Sequence, residues 1–519
     1  MHVQRRDEAD MNGMRGAFIP RRTGTGDLTV LVDDPHGRVR VADVEKLYRK
    51  HGQHFARWLS GDCAVAVSDL RGESAVVLFS TGSGNRPLHY AWDAAMGAWQ
   101  FGGHLPELLD RVAPVVEDET ALDVTLATGA PIGRRTPFHG VETVLPASTV
   151  VIEEGRGARS LPSYGPTDAA RHCPVSEPAA MKADLTSREA EACEGEGHSD
   201  RSPARALVAC DPMLALAAGL CDTGRRQHLF TPLRAGDVPP RQPRLTGVTQ
   251  QHVEIAPDAL PGLFADVTRA LGMPPLGPEQ LLTLALLRAA GAAGFAKVVS
   301  GDGMGAALDA WTRVGCALRA PGGLRWVGPY LDALAPVPKA LRHRLYTREY
   351  ELQLRSFESS APPELMVLLT DAEGARKHRI ATAEVGLVLP ARFSRPLTAL
   401  AAEAGVTAQA LLWPAEELWP AAANPPLGEG RSLATVQRRA KRAFAAGVFV
   451  PGEPLWAMAR DVLSPAVVRA EGRLRPDAVA ALFTEQELRP REELARALWA
   501  LTAYQVWRRQ HFGPERRSL

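Results

Sequence analysis

The sequence predicts an α/β protein with two domains, the first rich in β-sheet and the second built on a parallel sheet with a helical C-terminal part. The chain of 519 residues is longer than one hydrophobic core usually supports. From Leu28 to Ile152 it carries short alternating or β-branched runs separated by Gly, Asp, Asn and Pro, a pattern typical of strands and turns. After Ala206 apolar strands alternate with helical patterns, which favours a parallel sheet covered by helices.

Four runs predict strands of the first domain: LTVLV, CAVAVSDL, AVVLFS and STVVI. Each is short, apolar and bounded by turn residues. A polar stretch then runs to Arg205, and its one helical candidate extends from near Pro178 to Cys193. We therefore place a first domain at residues 14–165, an interdomain segment at 166–205 and a second domain at 206–519.

In the second domain, strands and helices follow one another. ARALVAC is a short buried strand, MLALAAGLCDTG a helix closed by Gly224, and HLFTPL a second strand before a Pro-rich loop. PDALPGLFADVTRAL and GPEQLLTLALLRAAGAAGF are predicted helices, AKVVS is a strand, and the rest of the chain is largely helical. The apolar stretch from Leu281 to Val299 is interrupted by Arg288 and Lys297, so it predicts a buried helix running into a strand and no membrane span.

Composition and charge exclude several classes of function. The hydrophobic fraction is 45%, the charged fraction 23% and the formal net charge +1, so we expect no global attraction to nucleic acid or membrane. The six cysteines include no CxxC pair and no His/Cys cluster with zinc-ligand spacing. The N-terminus is polar where a signal peptide needs an apolar core of about 7–15 residues. These features predict a reduced cytoplasmic protein without a structural metal.

Four collinear stretches carry a resemblance to a known family. They are residues 59–93, residues 136–148, residues 251–303, and the run RRAKRAF followed later by LARALWALTAYQVWRRQHF. In order and spacing they resemble the glutamine-dependent asparagine synthetases. The resemblance implies an N-terminal glutaminase-like αββα sandwich of the N-terminal-nucleophile type. It also implies a C-terminal synthetase domain whose parallel sheet is of the pyrophosphatase-loop type.

The residues that handle glutamine in that family are replaced. The family's nucleophile is a cysteine exposed when the initiator Met is removed, so that thiol and α-amine act together. Here the position holds His2, or Arg15 if Met14 is the start. The family's Asp that binds the glutamine α-amino group is Thr81 here, and the family's neighbouring Arg is Ser80. Glutamine hydrolysis is therefore not expected. A shortened, cysteine-less first domain is similar to that of lasso-peptide cyclases and β-lactam synthetases, whose substrates supply their own amine.

The phosphate-binding loop of the family is also changed. Ser and Gly residues after a strand let backbone N–H groups approach phosphates at the start of a helix, and the family writes this loop S-G-G-L-D-S-S. After Val208 this chain reads ACDPMLA, so Cys210 and Asp211 replace both glycines. Asp211 adds a negative charge where a polyphosphate would lie, and Pro212 removes one N–H donor. Val208, Cys210 and Asp211 remain the candidate remnant of a nucleotide site.

A second loop resembles the family's S-G-E-G-x-D-E, which binds the nucleoside by its backbone and magnesium by its carboxylates. The chain reads Ser300, Gly301, Asp302, Gly303, Met304, Gly305 and Ala306. The Ser-Gly turn is kept and Asp302 is conservative, but the Asp-Glu pair has become Gly305 and Ala306. Ser300, Gly301 and Gly303 are thus further remnant nucleotide-binding candidates, and no metal-binding residue is assigned.

Lys441 stands where the family keeps a lysine that stabilises charge on the reacting intermediate. Lys441 and Asp302 are therefore the candidate catalytic residues. Each candidate has a structural alternative: Cys210 as a small buried hydrophobe, Asp302 as a residue that fixes its loop, and Lys441 as part of a solvated basic face or of a surface for an acidic partner.

Two hypotheses for function follow from these replacements. In the first, the chain is a catalytically degenerate family member that acts as a binding or partner subunit in amide or isopeptide biosynthesis, its partner being a precursor peptide or an active paralogue. In the second, it is an active amide-bond-forming ligase similar to lasso-peptide cyclases, with ATP and magnesium as cofactors. A third possibility is a different reaction, without ATP, in the cleft that the family uses as its active site. The sequence contains no organised nucleophile-base pair to support it. The first is preferred, and for it no cofactor is assigned.

Overall fold

The structure, a computed structural model, describes residues 15–18, 28–34, 39–59, 63–69, 75–80, 85–153, 156–161, 205–208, 210, 227–238, 248–300, 313, 315–320, 323–356, 361–370, 375–410 and 448–513. Two compact units can be distinguished. Unit 1 comprises Met1–Asp118, Ile132–His198 and Thr382–Thr398, and unit 2 comprises Glu119–Pro131, Ser199–Ala381 and Ala399–Leu519. Each unit is thus assembled from several stretches of the chain.

Unit 1 contains two antiparallel sheets. A five-stranded sheet has the order β2-β3-β4-β8-β9, and a four-stranded sheet has the order β1-β6-β5-β7. The strands are β1 Arg15–Phe18, β2 Leu28–Asp33, β3 Ala64–Asp69, β4 Ala75–Ser80, β5 His89–Asp93, β6 Ala98–Gly102, β7 Val141–Thr143, β8 Ser148–Glu153 and β9 Gly157–Ser160.

Both faces of the five-stranded sheet are buried, which explains why β3 and β4 are continuous apolar runs. Alternate residues of β3, β4 and β8, namely Ala64, Ala66, Val76, Leu78, Val150 and Ile152, form one core with Leu88, Tyr90, Phe101 and Val144. The intervening residues, such as Val65 and Phe79, pack against helix α1, Val41–His51, and the 3-10 helix Gly52–Trp58. The period-2 alternation of side chains therefore supplies two cores from the same strands.

Unit 2 is built on a five-stranded, wholly parallel sheet with the order β12-β11-β10-β13-β14. Its strands are β10 Arg205–Val208, β11 Gln227–Arg234, β12 Val248–Ile255, β13 Lys297–Ser300 and β14 Thr407–Ala410. The central strands are buried: Leu207, Val208, Leu229 and Phe230 are almost fully inaccessible.

The helices beyond α1 are α2 Leu105–Leu109, α3 Ala121–Thr128, α4 Leu260–Leu271, α5 Glu279–Ala292, α6 Val327–Leu334, α7 Lys339–Leu345, α8 Arg348–Ser356, α9 Pro363–Thr370, α10 Arg376–Ala383, α11 Arg395–Glu403, α12 Pro454–Val462, α13 Pro465–Glu471, α14 Pro476–Leu488 and α15 Glu492–Phe512. Between α10 and α11 the chain continues as π-helical turns, Glu384–Val388 and Pro390–Ser394. Helix α15 is buried along most of its length.

The turn between α4 and α5 is held by α15. The indole N–H groups of Trp507 and Trp499 donate hydrogen bonds to the carbonyls of Gly272 and Pro275, each at 3.0 Å. Gly272 ends α4 in the left-handed region, with φ 63°, where a residue without Cβ is favoured. The start of α5 is therefore fixed by buried hydrogen bonds.

The predicted α/β class is confirmed, with antiparallel sheets in unit 1 and a parallel sheet in unit 2. The run from Leu281 forms α5 and leads into β13, and no helix among the described residues is long and apolar enough to cross a membrane. Strand β14 was not predicted, because that region was assigned as helical. The helices predicted at 178–193 and after residue 211 lie outside the described residues. The limits 14–165, 166–205 and 206–519 stay predictions.

Candidate functional site

The candidate site lies at the carboxyl ends of β10 and β13. Strands β11 and β12 extend the sheet on one side of β10, whereas β13 and β14 extend it on the other. In open parallel sheets, ligands bind outside the carboxyl ends of the strands where the strand order reverses. In unit 2 that position falls between β10 and β13, so the residues that end these strands define the site.

Val208 and Ser300 are neighbours in the parallel ladder, and both are fully buried. Among the described residues, the Ser300 hydroxyl has no hydrogen-bond partner. A buried hydroxyl without a partner costs free energy in the folded state. The end of β13 thus presents a buried polar atom that no described residue satisfies.

Cys210, two residues beyond Val208, is half-buried and packs against the first turn of α5. Its Sγ lies 3.7 Å from the carbonyl oxygen of Glu279 and 3.6 Å from Oγ1 of Thr283. The Thr283 hydroxyl donates to the same carbonyl at 2.9 Å. The cysteine side chain is therefore directed toward α5.

Helix α5 is well anchored at this point. The Gln280 side-chain oxygen accepts a hydrogen bond from the Leu276 amide at 2.7 Å, and Gln280 is itself buried. Together with the two indole bonds from α15, this contact fixes the wall against which Cys210 packs. The site therefore has a rigid wall on the side of α5.

The structure brings together three of the predicted site residues, Val208, Cys210 and Ser300. Asp211, Gly301, Asp302, Gly303 and Lys441 lie outside the described residues, so their assigned roles stay predictions. Within the described part of the chain, no group of three His, Cys, Asp or Glu side chains could hold a metal ion.

Of the residues assigned to the glutaminase-type site, Arg15 begins β1 and Ser80 ends β4. The Ser80 hydroxyl is buried and donates to the Arg86 carbonyl at 3.0 Å. His2 and Thr81 lie outside the described residues. Ser80 thus has a structural role, since it binds the Arg86 backbone at the end of β4.

A second group of polar residues, in unit 1, was missed at the sequence level. We call Arg86, His89, Ser394 and Arg395 the buried basic cluster. Burial, together with the positive charge of Arg395 and an electrostatic interaction with His104, lowers the pKa of His89 to about 3. Burial lowers the pKa of Arg395 to about 10, so this guanidinium stays charged at neutral pH. The run ARFSR contains two of these residues, Ser394 and Arg395, but nothing in it marks them as buried.

Comparisons with known proteins add little to these observations. No protein-family model matches the chain, and no curated protein sequence matches it. Twenty-one chains of solved structures match. One is a glutamine phosphoribosylpyrophosphate amidotransferase from B. subtilis, complexed with ADP and GMP, at 13% identity and a TM-score of 0.18. The match covers 40% of this chain and 46% of that one, so the chain spans less than half of that protein. At this TM-score the likeness carries no argument about function, and the resemblance to asparagine synthetases stays a prediction.

Proposed function

We propose that this chain is a catalytically degenerate protein of the asparagine synthetase plan, acting as a binding or partner subunit in the formation of amide or isopeptide bonds. In this proposal unit 1 corresponds to the glutaminase-like αββα sandwich and unit 2 to the pyrophosphatase-loop domain. The partner is a precursor peptide or an active paralogue. The parallel sheet, with its order reversing at β10, supports the proposed relation.

The observation that carries the proposal is the position of Cys210. A phosphate cradle at the end of a strand needs glycine, because backbone N–H groups must come close to the anion without an intervening Cβ. At this place Cys210 carries a side chain that packs against the carbonyl of Glu279. Cys210 therefore serves as a packing contact with α5.

The two residues that follow Cys210 in sequence also disfavour phosphate binding. Asp211 introduces a carboxylate, and Pro212 has no N–H to donate. At a separation of 4 Å and an effective dielectric constant of 20, two like charges repel by about 4 kcal/mol. A repulsion of this size would weaken polyphosphate binding roughly a thousandfold.

One observation favours the second candidate function, an active amide-bond-forming ligase that uses ATP and magnesium. The Ser300 hydroxyl has no partner within the described residues and ends the strand beside β10. Such a group is suited to a ligand that enters the crevice. In that case Asp302 and Lys441 would be the catalytic residues.

ATP–pyrophosphate exchange distinguishes the two functions. Full-length protein is assayed with Mg-ATP and a panel of carboxylates that includes aspartate and peptides with acidic side chains, and an active synthetase run in parallel serves as the positive control. We expect no exchange above background. Exchange that depends on one of the carboxylates would overturn the degenerate assignment and establish the ligase.

The genes beside this one test the partner role. We expect them to encode a short precursor peptide and an intact synthetase, and we expect the purified synthetase to bind this chain in calorimetry. A neighbourhood that contains a precursor but no other synthetase would instead favour the ligase.

A further inference from the structure

Arg395 is a buried cation without a counterion in the described structure. It is the first residue of α11 and only 7% of its surface is exposed. No hydrogen bond or ion pair joins its guanidinium to any residue that the structure describes. Buried charges in proteins are ordinarily paired, because an isolated one is strongly destabilising. The Arg395 guanidinium is therefore available to a negatively charged ligand.

The segment before β5 brings a second arginine to the same place. The Thr398 hydroxyl, on α11, donates to the Asn85 carbonyl at 2.6 Å and so holds this segment beside the start of the helix. Within the described residues, Nε of Arg86 is buried without a partner, and its Nη1 lies 4.0 Å from the carboxylate of Asp33. Arg86 is thus only partly neutralised.

Ser394 adds a neutral donor. Only 1% of its surface is exposed, and its hydroxyl has no partner among the described residues. Asp33 already lies beside Arg86, and Glu107 lies 3.7 Å from His104. Arg395, Arg86 and Ser394 therefore contribute three donors, two of them charged, to which the described residues give no hydrogen-bond acceptor.

His89 belongs to the same environment but adds no positive charge. Its Nδ1 forms a hydrogen bond of 2.8 Å with the Thr143 hydroxyl, and it is neutral at pH 7. The local charge of the cluster therefore comes from the two arginines, less the share that Asp33 neutralises. The positive excess matches a small anion.

We propose that the buried basic cluster binds a small oxyanion, a carboxylate or phosphate group, with Arg395 as its main ligand. A guanidinium donates two parallel hydrogen bonds to either group, and Arg86 Nε and the Ser394 hydroxyl supply further donors. The anion belongs to a free metabolite or to an acidic group on a larger molecule. This site lies in unit 1 and involves no residue at the carboxyl edge of the parallel sheet, so it goes beyond the proposed function.

The thermal midpoint of the full-length protein tests the proposal. Protein dialysed into chloride buffer is titrated with inorganic phosphate or with acetate, and sodium chloride at matched ionic strength is the control. A ligand at a hundred times its dissociation constant should raise Tm by roughly 5 °C. The anion that saturates at the lower concentration identifies the chemistry as phosphate or carboxylate. If neither raises Tm beyond chloride, the proposal is wrong.

Substitution of Arg395 tests whether the anion that raises Tm binds at the buried basic cluster. Arg395→Gln should abolish the rise in Tm, whereas Arg49→Gln, the same change at an exposed arginine of unit 1, should preserve it. In chloride buffer Arg395→Gln should be at least as stable as the wild type, because it removes an unpaired charge, and in saturating anion it should be less stable. An equal loss of Tm in both buffers would overturn the proposal.

Two further results keep the test decisive. If Arg395→Gln does not fold, the milder Ser394→Ala should weaken anion binding several-fold, and no change in affinity would count against the site. A rise in Tm that survives in both variants would place the anion elsewhere, for example at the end of β10. None of these results depends on whether the chain turns over ATP.

Discussion

Protonation of His89 should destabilise unit 1 as the pH falls below neutrality. His89 is buried and hydrogen-bonded to Thr143, and its burial and the charge of Arg395 lower its pKa from 6.5 to about 3. Between pH 3 and pH 6.5, His89 is protonated in the unfolded chain but neutral in the folded chain. The stabilisation that His89 provides is therefore complete above pH 6.5 and is lost progressively as the pH falls toward 3.

The size of this effect follows from the shift. One pKa unit corresponds to about 1.4 kcal/mol, so the loss from pH 7.5 to pH 5 is about 2 kcal/mol and the full loss near pH 3 is about 5 kcal/mol. His89→Asn keeps a polar group near Thr143 but does not titrate. This variant should be less stable than the wild type at pH 7.5, and the difference should shrink by about 2 kcal/mol at pH 5.

Urea unfolding at pH 7.5 and pH 5 measures this difference in chloride buffer. Hydrogen exchange of the β5 amides reports whether the loss is located in unit 1. Met96→Leu, at an exposed position of unit 1 that carries no titratable group, is the control, and its free-energy difference from the wild type should be the same at both pH values. If the free-energy difference between wild type and His89→Asn is the same at both pH values, His89 is not the titrating group and the reasoning fails.

Two further predictions concern unit 2, and urea denaturation measures both. Tyr346→Phe should cost about 2 kcal/mol, because the Tyr346 hydroxyl donates to the buried Asp123 carboxylate at 2.6 Å; an unchanged midpoint would mean that water replaces this bond. Leu284→Ala, in the fully buried face of α5, should cost about 3 kcal/mol, whereas Leu352→Ala, at a position 54% exposed, should cost less than about 0.5 kcal/mol. Equal losses at the two leucines would contradict the placement of α5 in the core.

Most elements of the parallel sheet could be predicted because their sequences carry local signals. HLFTPL and AKVVS are apolar and β-branched, and the helices around them have clear starts and stops. Strand β14 lacks such a signal: of the residues TAQA, only Thr407 is β-branched. It is a strand because its backbone pairs with β13, from Lys297 with Thr407 to Ser300 with Ala410. A non-local partner of this kind does not appear in a local pattern.

The site at the carboxyl ends of β10 and β13 carries a local sequence signal, whereas the buried basic cluster does not. The ends of β10 and β13 could be located from the sequence, because Val208 and Ser300 each end an apolar strand. The buried basic cluster could not, because arginine is rarely buried and nothing local marks Arg395 as inaccessible. Its burial follows from the packing of α11 beside the segment that contains Asn85, which is distant in sequence.

The affinity of the full-length protein for Mg-ATP tests the central claim most directly: that the sheet of a nucleotide-binding domain persists here without its phosphate-binding chemistry. Calorimetric titration of the wild type, at up to millimolar Mg-ATP and with a candidate peptide present, should give no saturable heat. Saturable binding with a dissociation constant in the micromolar range, lost on changing Ser300 to Leu, would contradict the account and assign the crevice beside β10 to an active ligase.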